Sequence, residues 1–534
     1  MRHYIPGWLR DAFHLDEGWR GVLLRTDWLM PVVILGLCGF GCAVIYSASA
    51  NSTTPFWSQQ LMFIGLGFVA YAFLAMLDYE KIRRYARFVY FAGVALLIPV
   101  AVCALLKMDL GTFVKQVNGA RRWIDIGAVK IQPSEFAKVT TLVMLAAVLE
   151  GVRYWGWRAA RDAWAARRTA PVWVAPAALV GTPPARALAA LLFPLTLLAI
   201  PRFLMKSRAK WARDWWAWAR GLLRVDVHAL LGVLSEWPGV RVAAVAALPI
   251  GLIFVQPDLK SCIVYLPMLA TLLYIARLSL RFFAAVGFSV MLLAGVIGAD
   301  MVGYSNHLDS YKEQFGERSD FARQVNKVDP YEQKSPIPKF LFKDYQRERI
   351  LSFFRPEVID PTGAGTTWNV NQAIIAVGRG GLSGTGWNRG LQAMLGYLPE
   401  LAAHNDFVFS VFAEEFGFVG GVALLAAYAF LIGNCLRTAA RARDRFGALL
   451  CCGVAAVLTV HVVVNIGMNI GFMPVSGLPL PFLSYGGSFV LSCFLLLGLV
   501  QSVHRYSREL PPRSGSGSDI STNALSDVRR FPLA

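Results

Sequence analysis

The sequence predicts an all-α, polytopic membrane protein, and three observations lead to this fold class. Of the 534 residues, 56% are hydrophobic and 16% are charged, whereas soluble proteins carry about 45–50% apolar and about 25% charged residues. Apolar runs close to the roughly 20 residues needed to cross a bilayer recur along the chain. Lys and Arg are concentrated in some of the segments between these runs. These features exclude a soluble globular enzyme and a disordered basic protein.

Ten apolar runs are predicted to be membrane-spanning helices. They are 28–50, 57–77, 86–106, 136–151, 239–257, 261–278, 282–300, 407–433, 447–470 and 487–504. The residues before the first run are polar and amphipathic, and no small-residue cleavage site follows it, so we expect no cleaved secretory signal.

The spans divide the sequence into seven parts. These are a cytoplasmic N-terminal segment (1–27), helices one to four (28–151), a basic Trp-rich insert (152–238), helices five to seven (239–300), a large outer loop (301–406), helices eight to ten (407–506) and a tail predicted to be disordered (507–534).

The distribution of basic residues predicts the orientation. The connection 51–59 carries no charge, whereas the second and eighth connections are basic, as are the flanks of the first and last spans. The residues of the two basic connections are Lys81, Arg83, Arg84, Arg87, Arg437, Arg441, Arg443 and Arg445. Because short basic loops stay in the cytoplasm, both termini are predicted to be cytoplasmic, and the loops 107–135 and 301–406 are predicted to lie outside.

The basic insert 152–238 accounts for half of the net charge of +18 and for nine of the sixteen Trp residues. Interleaved Trp and Arg can bind nucleic acid. In a membrane protein they favour helices lying on the anionic cytoplasmic face, with Trp at headgroup level. We therefore expect no nucleic-acid partner, and either no further span or a pair of spans around Ala187–Ile200.

Charged residues near membrane spans are costly, so each is a candidate for function. Glu135 and Lys138 are three residues apart at the start of the fourth span and share a helix face. Asp258 follows the fifth span at the same predicted outer surface. Either these residues form a salt bridge that holds two helices together, or they face a substrate.

The outer loop and the start of the eighth span contain further candidates. The Gly-rich stretch Gln372–Gly390 carries Arg379 and Arg389, a combination that can bind phosphate. Asp406 lies at the predicted membrane boundary, where desolvation would raise its pKa and suit it as a general base. The alternative is that Asp406 caps the eighth helix. Glu414 and Glu415 are expected to join helices.

Five stretches of sequence, in order, resemble the motifs of the SEDS (shape, elongation, division and sporulation) family. They are Gly119–Gly127 with Gln132–Lys138, Gln256–Leu259, Asp406–Phe407 with Ala413–Gly417, Asn465–Met468, and Gly477–Ser488. The resemblance covers about 28–151, 239–300 and 341–506, and implies a fold of ten transmembrane helices with a large outer loop before the eighth. Asp344–Arg349 and Gly386-Trp387 look more like the RodA branch than the FtsW branch.

The resemblance implies a peptidoglycan glycosyltransferase that polymerises lipid II at the outer face of the bacterial cytoplasmic membrane during cell elongation. The family's essential acid falls on Asp406, which would deprotonate the attacking sugar hydroxyl while undecaprenyl pyrophosphate leaves. The residues expected to bind substrate or support Asp406 are Lys138, Asp258, Glu135, Arg122 and Arg349. No cofactor is certain; Mg²⁺ or Mn²⁺ would suit the leaving pyrophosphate, but no metal ligands are identified.

The implied partners are lipid II, the undecaprenyl-pyrophosphate-linked glycan strand, a class B penicillin-binding protein and other membrane proteins of the elongation complex. Two positions depart from the family pattern. Lys260 stands where the family usually has Gly, which is expected to place a cation beside Asp258. Asn405 replaces the usual Thr before Asp406. A lipid II flippase, a division-specific polymerase and an inactive scaffold remain as alternatives.

Overall fold

The computed structural model describes residues 25–49, 54–106, 108, 114, 121–127, 129–152, 238–315, 344–360, 363, 365, 367–398 and 403–507. The predictions for the N-terminal segment, nearly all of the insert 152–238 and the tail therefore lie outside the described residues.

Helices dominate these residues. They are α1 Leu29–Ala48, α2 Phe56–Met76, α3 Tyr79–Arg84, α4 Ala86–Leu106, α5 Pro133–Glu150, α6 Pro238–Val255, α7 Leu259–Ile275, α8 Leu280–Phe315, α9 Asp344–Phe354, α10 Pro356–Ile359, α11 Trp368–Gly380, α12 Leu391–Met394, α13 Val408–Ala440, α14 Arg445–Asn469 and α15 Gly487–Tyr506. A helix overlaps each of the ten predicted spans.

The all-α, polytopic membrane fold is confirmed. Seven of the helices, namely α1, α2, α4, α8, α13, α14 and α15, are long and apolar enough to cross a membrane. The fourth, fifth and sixth predicted spans correspond to α5, α6 and α7, which have only 17 or 18 residues. At 1.5 Å per residue such a helix is about 27 Å long, slightly less than the bilayer core of about 30 Å. The number of ten spans stays a prediction.

Local sequence signals mark where several helices begin. Pro133 is the first residue of α5, where its fixed φ suits a helix and its missing N–H costs nothing. The carboxylates of Asp78 and Asp444 cap α3 and α14 by accepting the backbone amides of Glu80 (2.9 Å) and Gly447 (2.7 Å).

The bundle is centred on α14 and α15, which are the most buried of the seven long apolar helices. The helix α14 packs against α5, α7, α13 and α15, and α15 packs extensively against α2. This places the start of α13, the end of α14 and the loop between α14 and α15 next to one another.

The seventh predicted span differs from the others in two ways. The helix α8 continues to Phe315 instead of ending at 300, and its apolar window is not buried within the structure. Its extension forms a small second core with α9 and α10, made by Tyr304, Leu308, Leu351, Val358 and Ile359. The helix therefore ends later than the predicted span, because these apolar residues continue the helical face beyond the membrane-length run. The boundary between span and outer loop at 300 stays a prediction.

A two-stranded antiparallel hairpin precedes α5 and was not predicted. Its strands are β1 Ile124–Ile126 and β2 Val129–Ile131, paired so that Ile124 faces Ile131. Gly127 has φ +68°, a left-handed conformation that glycine adopts without steric cost. The hairpin holds the loop that carries Arg122 close to the start of α5.

The helix α13 is broken at Gly417, which has φ +66° and ψ −165°. The segment after α11 fills the break: Phe418 N–H donates to the carbonyl of Gly381 (2.8 Å), and Gly386 N–H donates to the carbonyl of Glu415 (3.0 Å). A methyl group on Gly384 would lie 2.1 Å from the carbonyl oxygen of Glu415. Only glycine permits this approach of two backbones.

Candidate functional site

Asp406 lies immediately before α13, and its backbone is fixed by α14. Its carbonyl oxygen accepts hydrogen bonds from the side-chain amides of Asn465 (2.9 Å) and Asn469 (3.2 Å). Asn465 also donates to the carbonyl of Leu478 (2.7 Å). The end of α14 thereby joins Asp406 to the last loop, the segment between α14 and α15.

The two residues before Asp406 are held in the same way. Tyr485 N–H donates to the carbonyl of His404 (2.9 Å), and Ser484 Oγ donates to the carbonyl of Asn405 (2.6 Å). The ring of Phe56 from α2 stacks on the His404 ring with centroids 4.4 Å apart. Contacts from α2, α14 and the last loop therefore fix the position of the Asp406 backbone.

The alternative role of Asp406 as a helix cap is not supported. No side chain at the N-cap position of α13 makes a capping hydrogen bond. Asn469 from α14 performs that task, because its Oδ1 accepts the backbone amide of Ser410 (3.2 Å) and its hydroxyl (2.6 Å). The Asp406 carboxylate therefore does not cap α13.

The electrostatic environment of Asp406 suits a base. Its Oδ1 is buried and has no hydrogen-bond partner among the residues that the structure describes. Burial raises the pKa of Asp406 above its usual range, and the nearby positive charge of Lys260 partly opposes this increase. A desolvated carboxylate with a raised pKa can accept a proton from a hydroxyl group.

A second buried carboxylate, Asp258, joins the starts of α5 and α7. Its Oδ2 accepts hydrogen bonds from three side chains, which are Gln132 (2.9 Å), Ser134 (3.0 Å) and Ser261 (2.7 Å). Arg122 lies above it, with Nη1 3.9 Å from Oδ1. Arg122 also donates to the backbone carbonyls of Gln256 and Pro257. The structure therefore places Arg122 and Asp258, two of the expected site residues, next to each other.

Lys138 does not form a salt bridge with Asp258, which was one of the two alternatives for these residues. Its Nζ lies 2.7 Å from Glu135 Oε2 and 3.4 Å from His461 Nε2. Lys138 is one turn further into α5 than Ser134, which reaches Asp258. Glu135, three residues before Lys138 on the same face, is the nearer carboxylate. Lys138 and Glu135 are both buried, so each neutralises the other.

Lys260 also lies elsewhere than expected. Asp258 precedes the first residue of α7, and Lys260 is the second residue of the helix, about 200° further around its axis. Its side chain extends to Gly477 in the last loop, on the side where the Asp406 carboxylate also lies. The cation therefore accompanies Asp406 and not Asp258.

The Gly-rich stretch Gln372–Gly390 supports α13 instead of forming an open phosphate loop. Glu414 accepts the backbone amide of Gln392 (3.3 Å), and Arg379 Nε lies 3.9 Å from it. Glu415 accepts the backbone amide of Asn388 (3.1 Å) and the hydroxyl of Ser47 from α1. These two carboxylates join neighbouring elements, as the sequence predicted.

Arg349 belongs to α9, but its side chain lies outside the described residues. Its neighbour Arg347 is fully buried and binds Asp300 of α8 through Nε at 2.8 Å. Arg347 thus joins the outer loop to α8, as does Arg355, whose Nη1 lies 2.9 Å from Ser305 Oγ. The sequence reasoning selected neither arginine.

The supporting residues that sequence reasoning missed are Asn465, Asn469 and Ser484. A usable signal was present, because Asn465 and Asn469 are four residues apart in an apolar helix and share one face. Amides in such a helix need hydrogen-bond partners. In the structure these partners are backbone groups at the start of α13, namely the carbonyl of Asp406 and the amide of Ser410.

The fit of a metal ion was tested on the same residues. Throughout the described ranges, no three His, Cys, Asp or Glu side chains are close enough to hold one ion. Mg²⁺ is often bound by one or two carboxylates together with substrate phosphates. In such a site the substrate pyrophosphate would supply most of the ligands.

The chain is similar to known proteins over nearly its whole length. The chain is 29% identical to the peptidoglycan glycosyltransferase MrdB of Escherichia coli K12, over 91% of the chain and 95% of that protein. It is 27% identical to the peptidoglycan glycosyltransferase RodA of Treponema pallidum, over 90% and 97%.

One solved structure, described as showing structural coordination of polymerization and crosslinking by a peptidoglycan synthase complex, has a TM-score of 0.55. The two sequences are 23% identical, and the match covers 91% of this protein and 99% of the solved chain. This similarity concerns the fold. The model of the FtsW, RodA and SpoVE family, described as cell cycle protein, matches residues 27–200 and 331–509. The chain therefore belongs to the FtsW/RodA/SpoVE family of cell cycle proteins.

Proposed function

We propose that the protein is a peptidoglycan glycosyltransferase that polymerises lipid II into glycan strands during cell elongation. The observation that carries this proposal is the Asp406 carboxylate, held rigidly by its backbone with a buried oxygen that has no partner among the described residues. The names of the full-length relatives MrdB and RodA support both the activity and the elongation branch.

In the proposed reaction, Asp406 accepts the proton of the sugar 4-hydroxyl of one lipid II molecule. The hydroxyl oxygen forms a bond to the anomeric carbon of the growing strand. The bond between that carbon and the phosphate oxygen breaks, and undecaprenyl pyrophosphate leaves with the bonding electron pair. The fixed backbone of Asp406 holds the base in place, which lowers the entropic cost of the step.

The leaving pyrophosphate requires positive charge. Arg122 is a candidate to bind it, because its side chain is partly exposed and already lies across the start of α7. Lys138 is buried and paired with Glu135, so we assign it a supporting role in fixing α5. Asp258 joins α5 and α7 beneath Arg122 and has a similar role.

The proposed setting follows from the chemistry. The protein is a multi-pass membrane protein, and we place it in the bacterial inner membrane with both termini in the cytoplasm and Asp406 at the outer face. We propose a class B penicillin-binding protein as partner. The solved structure of similar fold belongs to a complex described as coordinating polymerization and crosslinking, which supports this choice.

The second candidate function is transport of lipid II across the bilayer. A transport path needs charged groups at several depths. Glu414 and Glu415 lie inside α13, but their carboxylates bind the backbone amides of Gln392 and Asn388. Asp258 and Asp406 lie just before the starts of helices, and Arg122 lies in the loop before β1. This distribution favours a reaction at one surface.

Reconstitution can separate the two candidates. The purified protein, together with its transpeptidase partner in liposomes, would receive fluorescent lipid II with Mg²⁺, and both polymer and translocated lipid would be measured. We expect polymer from the wild type and none from Asp406→Ala prepared in parallel. Translocation without polymer would favour the transporter, and equal polymer from both would contradict the role of Asp406.

A further inference from the structure

The geometry points to Lys260 as a positioning residue that lies beside the Asp406 carboxylate and keeps it ionised for its reaction. This inference rests on the proposed function. It concerns a residue that departs from the family pattern, in which glycine is usual at this place.

The first argument is that both side chains lie over the same glycine. A methyl group on Gly477 would lie 3.4 Å from Asp406 Oδ2 and 3.9 Å from Lys260 Cδ. Gly477 has φ +71°, so glycine suits this turn of the last loop. The turn leaves room for the carboxylate and the lysine chain to lie next to each other.

The second argument concerns the other groups around Asp406. The residues of α14 facing it, Asn465 and Asn469, are neutral amides that bind its backbone. His404 on its own segment stacks on Phe56, and Tyr485 of the last loop packs against His404. Among the described residues, Lys260 is the cation whose charge acts on Asp406.

The third argument is that Lys260 is not engaged by another acid. It forms no direct ion pair within the described part of the chain. The cation that pairs with Asp258 Oδ1 is Arg122 at 3.9 Å, while Oδ2 accepts three side-chain hydrogen bonds. His461 also lies near Lys260, but both of its ring nitrogens already have partners. These are the carbonyl of Pro479 (3.0 Å) and Lys138 (3.4 Å).

The consequence follows from two opposing effects. Desolvation favours the protonated carboxyl, which cannot act as a base, whereas a neighbouring cation favours the ionised form. Lys260 therefore offsets part of the cost of burying Asp406 and keeps the base active at lower pH. It acts through Asp406 and need not touch the substrate.

The test compares Lys260→Met, which keeps the aliphatic chain, with Lys260→Arg, which keeps the charge. We expect Lys260→Met to polymerise lipid II about tenfold more slowly than wild type at about pH 5.5. At about pH 8.5 its rate should be within about twofold of the wild-type rate. Lys260→Arg should follow the wild-type profile. The variant Lys81→Met, at the opposite predicted membrane surface, serves as the control.

A second readout does not require activity. Carbodiimide reacts with protonated carboxyl groups, so the pH dependence of Asp406 modification, measured by mass spectrometry, reports its ionisation directly. Labelling that extends to higher pH in Lys260→Met supports the inference even if polymerisation is absent. Unchanged labelling, or an equal loss of rate at every pH with a higher KM for lipid II, would overturn it. Absence of polymer from the wild type would instead contradict the proposed function.

Discussion

Asn469 closes the start of α13 by accepting both the amide and the hydroxyl of Ser410 through its side-chain oxygen, at 3.2 and 2.6 Å. The nitrogen of the same amide donates to the carbonyl of Asp406 (3.2 Å). One side chain of α14 therefore determines where α13 begins and where the proposed base lies.

Replacement of Asn469 by alanine should affect both stability and activity. The change removes hydrogen bonds to buried groups and should cost about 1–3 kcal/mol, which would appear as a lower Tm in detergent. The rate of polymerisation should also fall, since Asp406 loses one of its backbone anchors. Thr459→Ala on the same helix is the control, because Thr459 binds only its own helix at Ala455. Equal effects of the two variants would contradict the anchoring role.

The contact between Gly384 and the broken helix α13 can be tested by adding one methyl group. Gly384 and Gly396 both have positive φ, at +81° and +72°, so alanine at either position costs about 1 kcal/mol in strain. Only at Gly384 does the methyl group meet a backbone atom, the carbonyl oxygen of Glu415. We expect Gly384→Ala to lower the Tm clearly more than Gly396→Ala. Equal changes would show that the segment can move away from α13.

The buried ion pair between Arg347 and Asp300 should hold α9 against α8. Removal of one partner leaves a buried charge and typically costs about 3–5 kcal/mol. We expect Arg347→Met to increase hydrogen exchange in α9, measured by mass spectrometry. The double variant with Asp300→Asn should recover part of the protection, because both charges of the pair are then removed. Exchange that is unchanged in the single variant would contradict this role.

The wild-type rate should depend on pH through Asp406. Because burial raises the pKa of Asp406, the carboxyl group is protonated at higher pH than an ordinary Asp, whose pKa is about 3.9. Activity needs the ionised form, so it should be lost as pH falls through the raised pKa. A rate profile that declines only near the ordinary Asp range would contradict the buried environment of this base.

Some features could be predicted from the sequence because they depend on local composition. The spans follow from the length of apolar runs, and the start of α5 follows from Pro133. The contact at Gly384 could not be predicted in this way, because it joins backbones about thirty residues apart and its local signal is only a glycine. The partner of Lys138 depends on side-chain reach in three dimensions. For that reason the salt bridge between Lys138 and Asp258, one of the two alternatives that the sequence allowed, was wrong.

The identity of Asp406 shows the same limit. Because Asp406 lies at a span boundary, the sequence allowed it to be either a helix cap or a general base. The family resemblance favoured the general base. The structure distinguishes the two roles. Asn469 accepts the hydrogen bonds of Ser410 at the start of α13, so the Asp406 carboxylate is not needed as a cap and is available as a base.

The most direct test of the account is the initial rate of lipid II polymerisation by Asp406→Asn, which keeps the size of the side chain and removes its basicity. Asp125→Asn, in the β1 strand, is the matched control. With equal Tm and membrane insertion, we predict that Asp406→Asn lowers the rate by roughly 10²–10⁴-fold and that Asp125→Asn leaves it nearly unchanged. A rate for Asp406→Asn within about twofold of wild type, far below the effect expected from losing a general base, would contradict the central claim.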